Sequence, residues 1–136
     1  MKVLSLCTAN SARSQMGEGL LRHLAGDMLA VYSAGAKPSA VNPFATRAMR
    51  ERGIDISRQR SEHLAKYLVT EFDYVLTVCD AAADKCPHLP GPARRIHWSF
   101  PDPAAVDGDD EAILKSFRSI RDGLEAELRA WLKSLT

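Results

Sequence analysis

Cys7 and Arg13 stand five residues apart in Cys7-Thr8-Ala9-Asn10-Ser11-Ala12-Arg13-Ser14. A thiol and a guanidinium at that spacing have a defined chemical use if the chain turns back on itself between them. A turn that enters a helix points several backbone N–H groups into one small volume, and the helix N-terminus adds partial positive charge there. Arg13 contributes a planar fork that takes two oxygens of a tetrahedral oxyanion at once. Such a positive cradle favours the thiolate, the nucleophilic form of Cys7. The small residues Ala9, Ser11 and Ala12 let the backbone come close to the ligand. Residues 8–14 are therefore the candidate oxyanion-binding loop: Thr8, Ala9, Asn10, Ser11, Ala12, Arg13 and Ser14. Two plainer readings compete. A cysteine ending a buried strand also serves as a small apolar residue, and a Cys–Arg spacing by itself recurs by chance. Ser14 either bonds within the turn or caps the helix.

The flanking sequence supplies the required turn. Val3-Leu4-Ser5-Leu6 reads as a buried strand over 2–7. Met16, Leu20, Leu21 and Leu24 share one face of a helix over 14–25, with Gly26 as its C-terminal cap. A second strand is expected over Met28–Ser33, then a loop through Ser39. Asn42-Pro43 marks a helix start, with Asn42 as cap and Pro43 in the first turn. That helix ends near Arg52 at Gly53, and its apolar side is Phe44, Ala45, Ala48 and Met49. Residues 54–60 form an irregular link. Ser61 is the expected cap of a short helix carrying Leu64, Tyr67 and Leu68. Strands follow over Tyr74–Val78 and Arg94–Trp98, separated by a helical turn over 81–85 and a proline-rich loop. Ile113, Leu114, Phe117, Ile120, Leu124, Leu128, Trp131 and Leu132 make one continuous stripe on a last helix over Asp109–Leu132.

Strands alternating with helices predict an α/β fold, a four-stranded parallel sheet with helices on both faces. Ligands in such sheets bind beyond the carboxyl ends of the strands. Cys7, Cys79 and the loop after Trp98 all belong to that edge. With 136 residues, no repeats and no linker, a single domain over 1–136 is expected. Lys and Arg number 18 against 17 Asp and Glu, and that balance makes no nucleic-acid surface. The apolar runs are too short for a membrane span or a signal peptide. Three cysteines, Cys7, Cys79 and Cys86, make no structural disulfide framework, and cytoplasmic thiols with a chemical role fit better.

Asp102, stiffened between Pro101 and Pro103, is the candidate general acid for a departing oxygen. The alternative is a solvated turn aspartate. Cys79 and Cys86 can meet only if the segment between them rearranges. A metal set of Cys79, Cys86, His88 and His97 is the weaker alternative, because the Cys-x6-Cys spacing matches no common zinc pattern.

The chain resembles the thioredoxin-coupled arsenate reductases, which share the low-molecular-weight protein tyrosine phosphatase fold. The resemblance rests on Cys7-Thr-Ala-Asn-Ser-Ala-Arg13-Ser-Gln-Met, Tyr32-Ser-Ala-Gly35, Asn42-Pro43, Gly53-Ile-Asp-Ile56, Phe72-Asp-Tyr-Val75, Thr77-Val-Cys79-Asp80, Cys86-Pro87 and His97-Trp-Ser-Phe-Pro-Asp102-Pro. These stretches span nearly the whole chain. Thr77-Val-Cys-Asp80 with Cys86 is the part that the phosphatases lack. The loop departs from the family at Ala9, where Gly is usual and which must tolerate the loop backbone, and at Ala12, where Cys is frequent.

The resemblance implies a catalytic set of Cys7, Cys79, Cys86, Arg13 and Asp102. It also implies arsenate as substrate, thioredoxin as reductant, a Cys7–Cys79–Cys86 disulfide relay, a monomer, and no cofactor beyond a potassium ion that some members bind. The matching potassium positions are Asn10, Glu18, Ser33 and Glu62, the last usually Asp in those members. Two readings of other classes remain beside this one. A phosphatase of tyrosine phosphate or small esters would use the cradle and Asp102 but leave the cysteine pair unexplained. An oxyanion-binding or redox-sensing protein would use the thiols only as a switch.

Overall fold

The computed structural model describes residues 1–79 and 89–135. Four strands, β1 (Lys2–Cys7), β2 (Ala30–Gly35), β3 (Tyr74–Thr77) and β4 (Arg94–His97), form one sheet in the order β2-β1-β3-β4. Every neighbouring pair is parallel, with Val3 opposite Val31 and Tyr74, and Leu76 opposite Ile96. Three α-helices, α1 (Arg13–Ala25), α2 (Pro43–Arg50) and α3 (Asp110–Ser134), complete the architecture.

Side chains along a strand alternate between the two faces, and the two cores follow that alternation. Val3, Cys7, Val31 and Leu76 join Met16, Leu20 and Leu21 of α1, Ala45, Ala48 and Met49 of α2, and Phe117, Leu124 and Leu128 of α3. Leu4, Leu6, Ala34 and Val75 face the other way, onto Phe72 and Leu89. There a 3-10 helix over Leu64–Tyr67 closes the face, and the rings of Tyr32 and Tyr67, tilted against each other, each pack edge to face with Phe72. The sheet is thus covered by helix on both sides, with the three α-helices on one.

The long stripe holds α3 down. Leu114, Phe117, Ile120, Leu124, Leu128 and Trp131 are buried, and each large apolar side chain removed from water contributes roughly 1.5–3 kcal/mol. Exposed ion pairs contribute about 0–1 kcal/mol each, so the link from Arg118 to Glu51 sets the seating of α2 on α3 rather than drives it, and the buried Arg121 reaches both Glu51 and the Ala48 carbonyl. Asp109 caps α3 by accepting from the Ala112 N–H. Asn42 caps α2 in the same way, accepting from the Phe44 N–H.

Two local expectations shift. Residues 26–28 form a 3-10 turn after α1, so β2 starts at Ala30 and runs through Gly35. Exposed Met28 belongs to that turn, not to a buried strand. The cap of the 3-10 helix is His63, whose Nδ1 accepts from the Ala65 N–H. Ser61 instead donates to the Ala9 carbonyl. The helical turn expected over 81–85 lies outside the described residues, as do Cys86 and His88.

Candidate active site

The order β2-β1-β3-β4 places a topological switch between β1 and β3, where the connections run to opposite sides and leave a crevice at the carboxyl ends. Cys7 is the last residue of β1. Val78, just past β3, donates its N–H to the Leu6 carbonyl, so Cys79 follows one residue beyond the level of Cys7. Both cysteines are buried in the same apolar cluster.

Between Cys7 and α1 the chain forms a loop whose carbonyls face outward. The Lys37 N–H donates to the Thr8 carbonyl, the Ser39 N–H to Ala9, and the Asn42 N–H to Ser11. In a trans peptide the N–H points opposite to the C=O. With the carbonyls held outside, the N–H groups of the following residues turn inward, above Cys7. Gly35 is required for this seat. A Cβ there would lie 2.6 Å from the Thr8 carbonyl oxygen and 2.9 Å from that of Cys7. The strain expected at Ala9 falls one residue later: Asn10, with φ of 47°, is the only non-glycine residue with positive φ among those described. Asn is one of the residues that enter this region most readily.

Ser14 does not cap α1. Ala12 occupies the cap position without a side-chain bond. The Ser14 hydroxyl lies 2.8 Å from Cys7 Sγ and accepts from Asn10 Nδ2 at 2.7 Å. Arg13 is 5% exposed, and its Nη1 donates to the Phe100 carbonyl at 2.9 Å. This bond ties the cradle to the segment that carries Asp102. The Asp102 carboxylate accepts from the Ala104 N–H at 2.9 Å and starts a 3-10 helix over Pro103–Ala105.

A cavity of about 160 Å³ joins these pieces, with Cys7, Ala9, Ala12, Arg13 and Asp102 on its walls. Pockets for drug-sized ligands run to roughly 300–1,000 Å³, so this one suits a small oxyanion. The sequence had not marked Ser39 and Asn42 as site residues, but both line the cavity. Asn42 was legible only as a helix cap, and Ser39 only as part of a loop.

Of the potassium set, Glu18, Ser33 and Glu62 line one cavity, and Asn10 is bonded to the Glu62 backbone. Glu18 accepts from the Ser33 hydroxyl at 2.5 Å and pairs with the Arg22 guanidinium at 3.0 Å. Asn10 Oδ1 accepts from Gln15 Nε2 and from the Glu62 N–H. The Glu62 carboxylate pairs with Lys66. His97, from the weaker metal set, shares a 2.7 Å hydrogen bond with Thr77. Among the described residues no three His, Cys, Asp or Glu side chains are placed to hold a metal ion. No described helix is long and apolar enough to cross a membrane.

The family model for low molecular weight phosphotyrosine protein phosphatases matches residues 2–136. The chain belongs to that family. Within it, the chain is 44% identical to an arsenate reductase of Halalkalibacterium halodurans over 129 residues, 95% of this chain and 93% of the relative. A solved arsenate reductase in the oxidized state superposes with a TM-score of 0.82 at 29% identity, covering 99% of this chain and 98% of its own. A thioredoxin-dependent arsenate reductase of Corynebacterium glutamicum superposes at 0.68 and 29% identity, covering 98% of this chain and 62% of its own. This family member thus carries the phosphatase-type cradle together with the additional cysteines.

Proposed function

We propose that the protein reduces arsenate to arsenite. The observation that carries the reading is the convergence of Cys7, Arg13 and Asp102 on one small cavity, with Cys79 buried beside the neighbouring strand end. The similarity to arsenate reductases supports it. Arg13 and the inward N–H groups hold three oxygens of arsenate. The Cys7 thiolate attacks arsenic, and Asp102 protonates the departing oxygen, which leaves as water. Cys79 then attacks Cys7 Sγ. The S–As bond breaks with its electron pair passing to arsenic, arsenite departs, and a Cys7–Cys79 disulfide remains. Cys86 attacks Cys79 Sγ, releasing Cys7 as thiolate and leaving a Cys79–Cys86 disulfide. A dithiol reductant restores that pair by exchange. Thioredoxin is the reductant of this reading, supported by the thioredoxin-dependent neighbour.

The electrons come from thiols, so the cycle uses no cofactor, and no step passes through a potassium ion. A monomer of one domain, working in the cytoplasm where thiols stay reduced, completes the reading.

The test is NADPH oxidation with arsenate, thioredoxin and thioredoxin reductase, beside a phosphatase assay on the same preparation. The expected result is arsenate-dependent oxidation that vanishes in Cys7→Ser. Ester hydrolysis without NADPH oxidation would establish the phosphatase reading instead.

A further inference from the structure

We propose that Gln15, held in place by Gln59, is a positioning residue that together with the Glu62 N–H fixes which way the hydrogen bonds run toward Cys7; this rests on Cys7 being the nucleophile. Gln15 is fully buried in the first turns of α1, yet it does not line the cavity. Burying a carboxamide costs free energy unless its groups are paired, and this one is paired throughout. Its Nε2 donates to the Asn10 carbonyl and to Asn10 Oδ1, both at 3.0 Å, and to the Arg60 carbonyl at 2.9 Å. Its Oε1 accepts from Gln59 Nε2 at 2.8 Å, and Gln59 also reaches the Gln15 carbonyl.

Backbone groups set the direction of this chain of bonds. A carbonyl only accepts, so the carbonyls of Asn10 and Arg60 oblige Gln15 to present its nitrogen. The Glu62 N–H only donates, and at 2.8 Å it obliges Asn10 to present its oxygen on the same side. Asn10 must then offer its nitrogen to Ser14. With one lone pair of Ser14 Oγ so engaged, its own proton is free to go to Cys7 Sγ, 2.8 Å away, once Cys7 is the thiolate and can only accept. A donor there favours the thiolate. Gln15 also grips both the carbonyl and the side chain of Asn10, the residue in the left-handed conformation. It therefore holds both the loop shape and the polarity of the bonds.

The experiment follows alkylation of Cys7 by iodoacetamide against pH in the reduced full-length protein, read by mass spectrometry of the Cys7 peptide. It needs no arsenate, so its failure is separate from failure of the reductase reading. Arg13 and Asp102 are the charged groups sharing the cavity with Cys7, and every variant keeps them. Ser14→Ala is expected to raise the pH of half-maximal alkylation by about one unit, which is tenfold in thiolate fraction. Gln15→Met is expected to raise it by less than about one unit, a several-fold loss of thiolate fraction. The double variant should match Ser14→Ala alone, because both act through one bond. A profile unmoved by Gln15→Met, or a shift that adds in full to that of Ser14→Ala, overturns the proposal. A merely structural Gln15 would lower the thermal midpoint and leave the profile in place. Gln59→Leu, at a half-buried position, carries the same test with the same outcomes if Gln15→Met does not fold.

Discussion

Asp102 joins a local structural role to the chemical role proposed for it. Its Oδ1 accepts the Ala104 N–H, which pins the carboxyl at the cavity wall between two prolines. Asparagine keeps that acceptor, so Asp102→Asn preserves the turn while removing the transferable proton. The rate of the first chemical step, measured in a single turnover with excess enzyme, should fall roughly 10²–10⁴-fold with little change in arsenate affinity. An unchanged rate would take Asp102 out of the mechanism. Cys7, Arg13 and Asp102, which share one cavity, were legible as candidates because their residue types announce their chemistry. Gln15 and Gln59 were not. An amide has no reactive signature, and the bonds between them join residues 44 positions apart. Asn10 was marked as loop, but its left-handed backbone follows from what grips it, which no local pattern records.

Elements were legible where the pattern was long. The stripe of α3 and the Asn-Pro start of α2 predicted both helices, with ends differing by one or two residues. Short elements went astray. The 3-10 turn at 26–28 took the place of a strand start, and His63 displaced Ser61 as a cap because Ser61 was drawn to the Ala9 carbonyl. At this scale α2 and α3 also carry a pH response. Hydrogen bonds from Arg118 and Arg121 draw the pKa of Glu51 down to about 2. Glu125 is lowered in the same direction, by Arg52 first. A carboxylate depressed in the folded state stabilises above its unfolded pKa, near 4.5, and loses that contribution as pH falls toward 2. The thermal midpoint should therefore drop between about pH 4.5 and 2, and Glu51→Gln should flatten part of that slope. Glu51 is exposed, so the effect is small beside that of the α3 stripe. A variant with the full wild-type slope would show that the pairing contributes nothing.

For the whole molecule, the parallel sheet could be read from alternating strands and helices, but the order β2-β1-β3-β4 could not. Which strand lies beside which depends on the handedness and reach of connections, not on the strands' own residues. That order matters because it brings the thiols at positions 7 and 79 to neighbouring strand ends, although 72 positions separate them in sequence. The third thiol, Cys86, needs no such placement by the sheet, since only six residues separate it from Cys79. The proposed relay thus divides into a step set by topology and a step set by local chain. Cys86→Ser separates them. With arsenate and excess thioredoxin, this variant should release about one arsenite per enzyme and then stop. Mass spectrometry of the stalled protein should find Cys7 joined to Cys79. Steady cycling would mean that the reductant reaches the Cys7–Cys79 disulfide directly, leaving Cys86 outside the relay. A stall with Cys7 unjoined to Cys79 would mean that strand adjacency does not bring the two sulfurs within bonding reach.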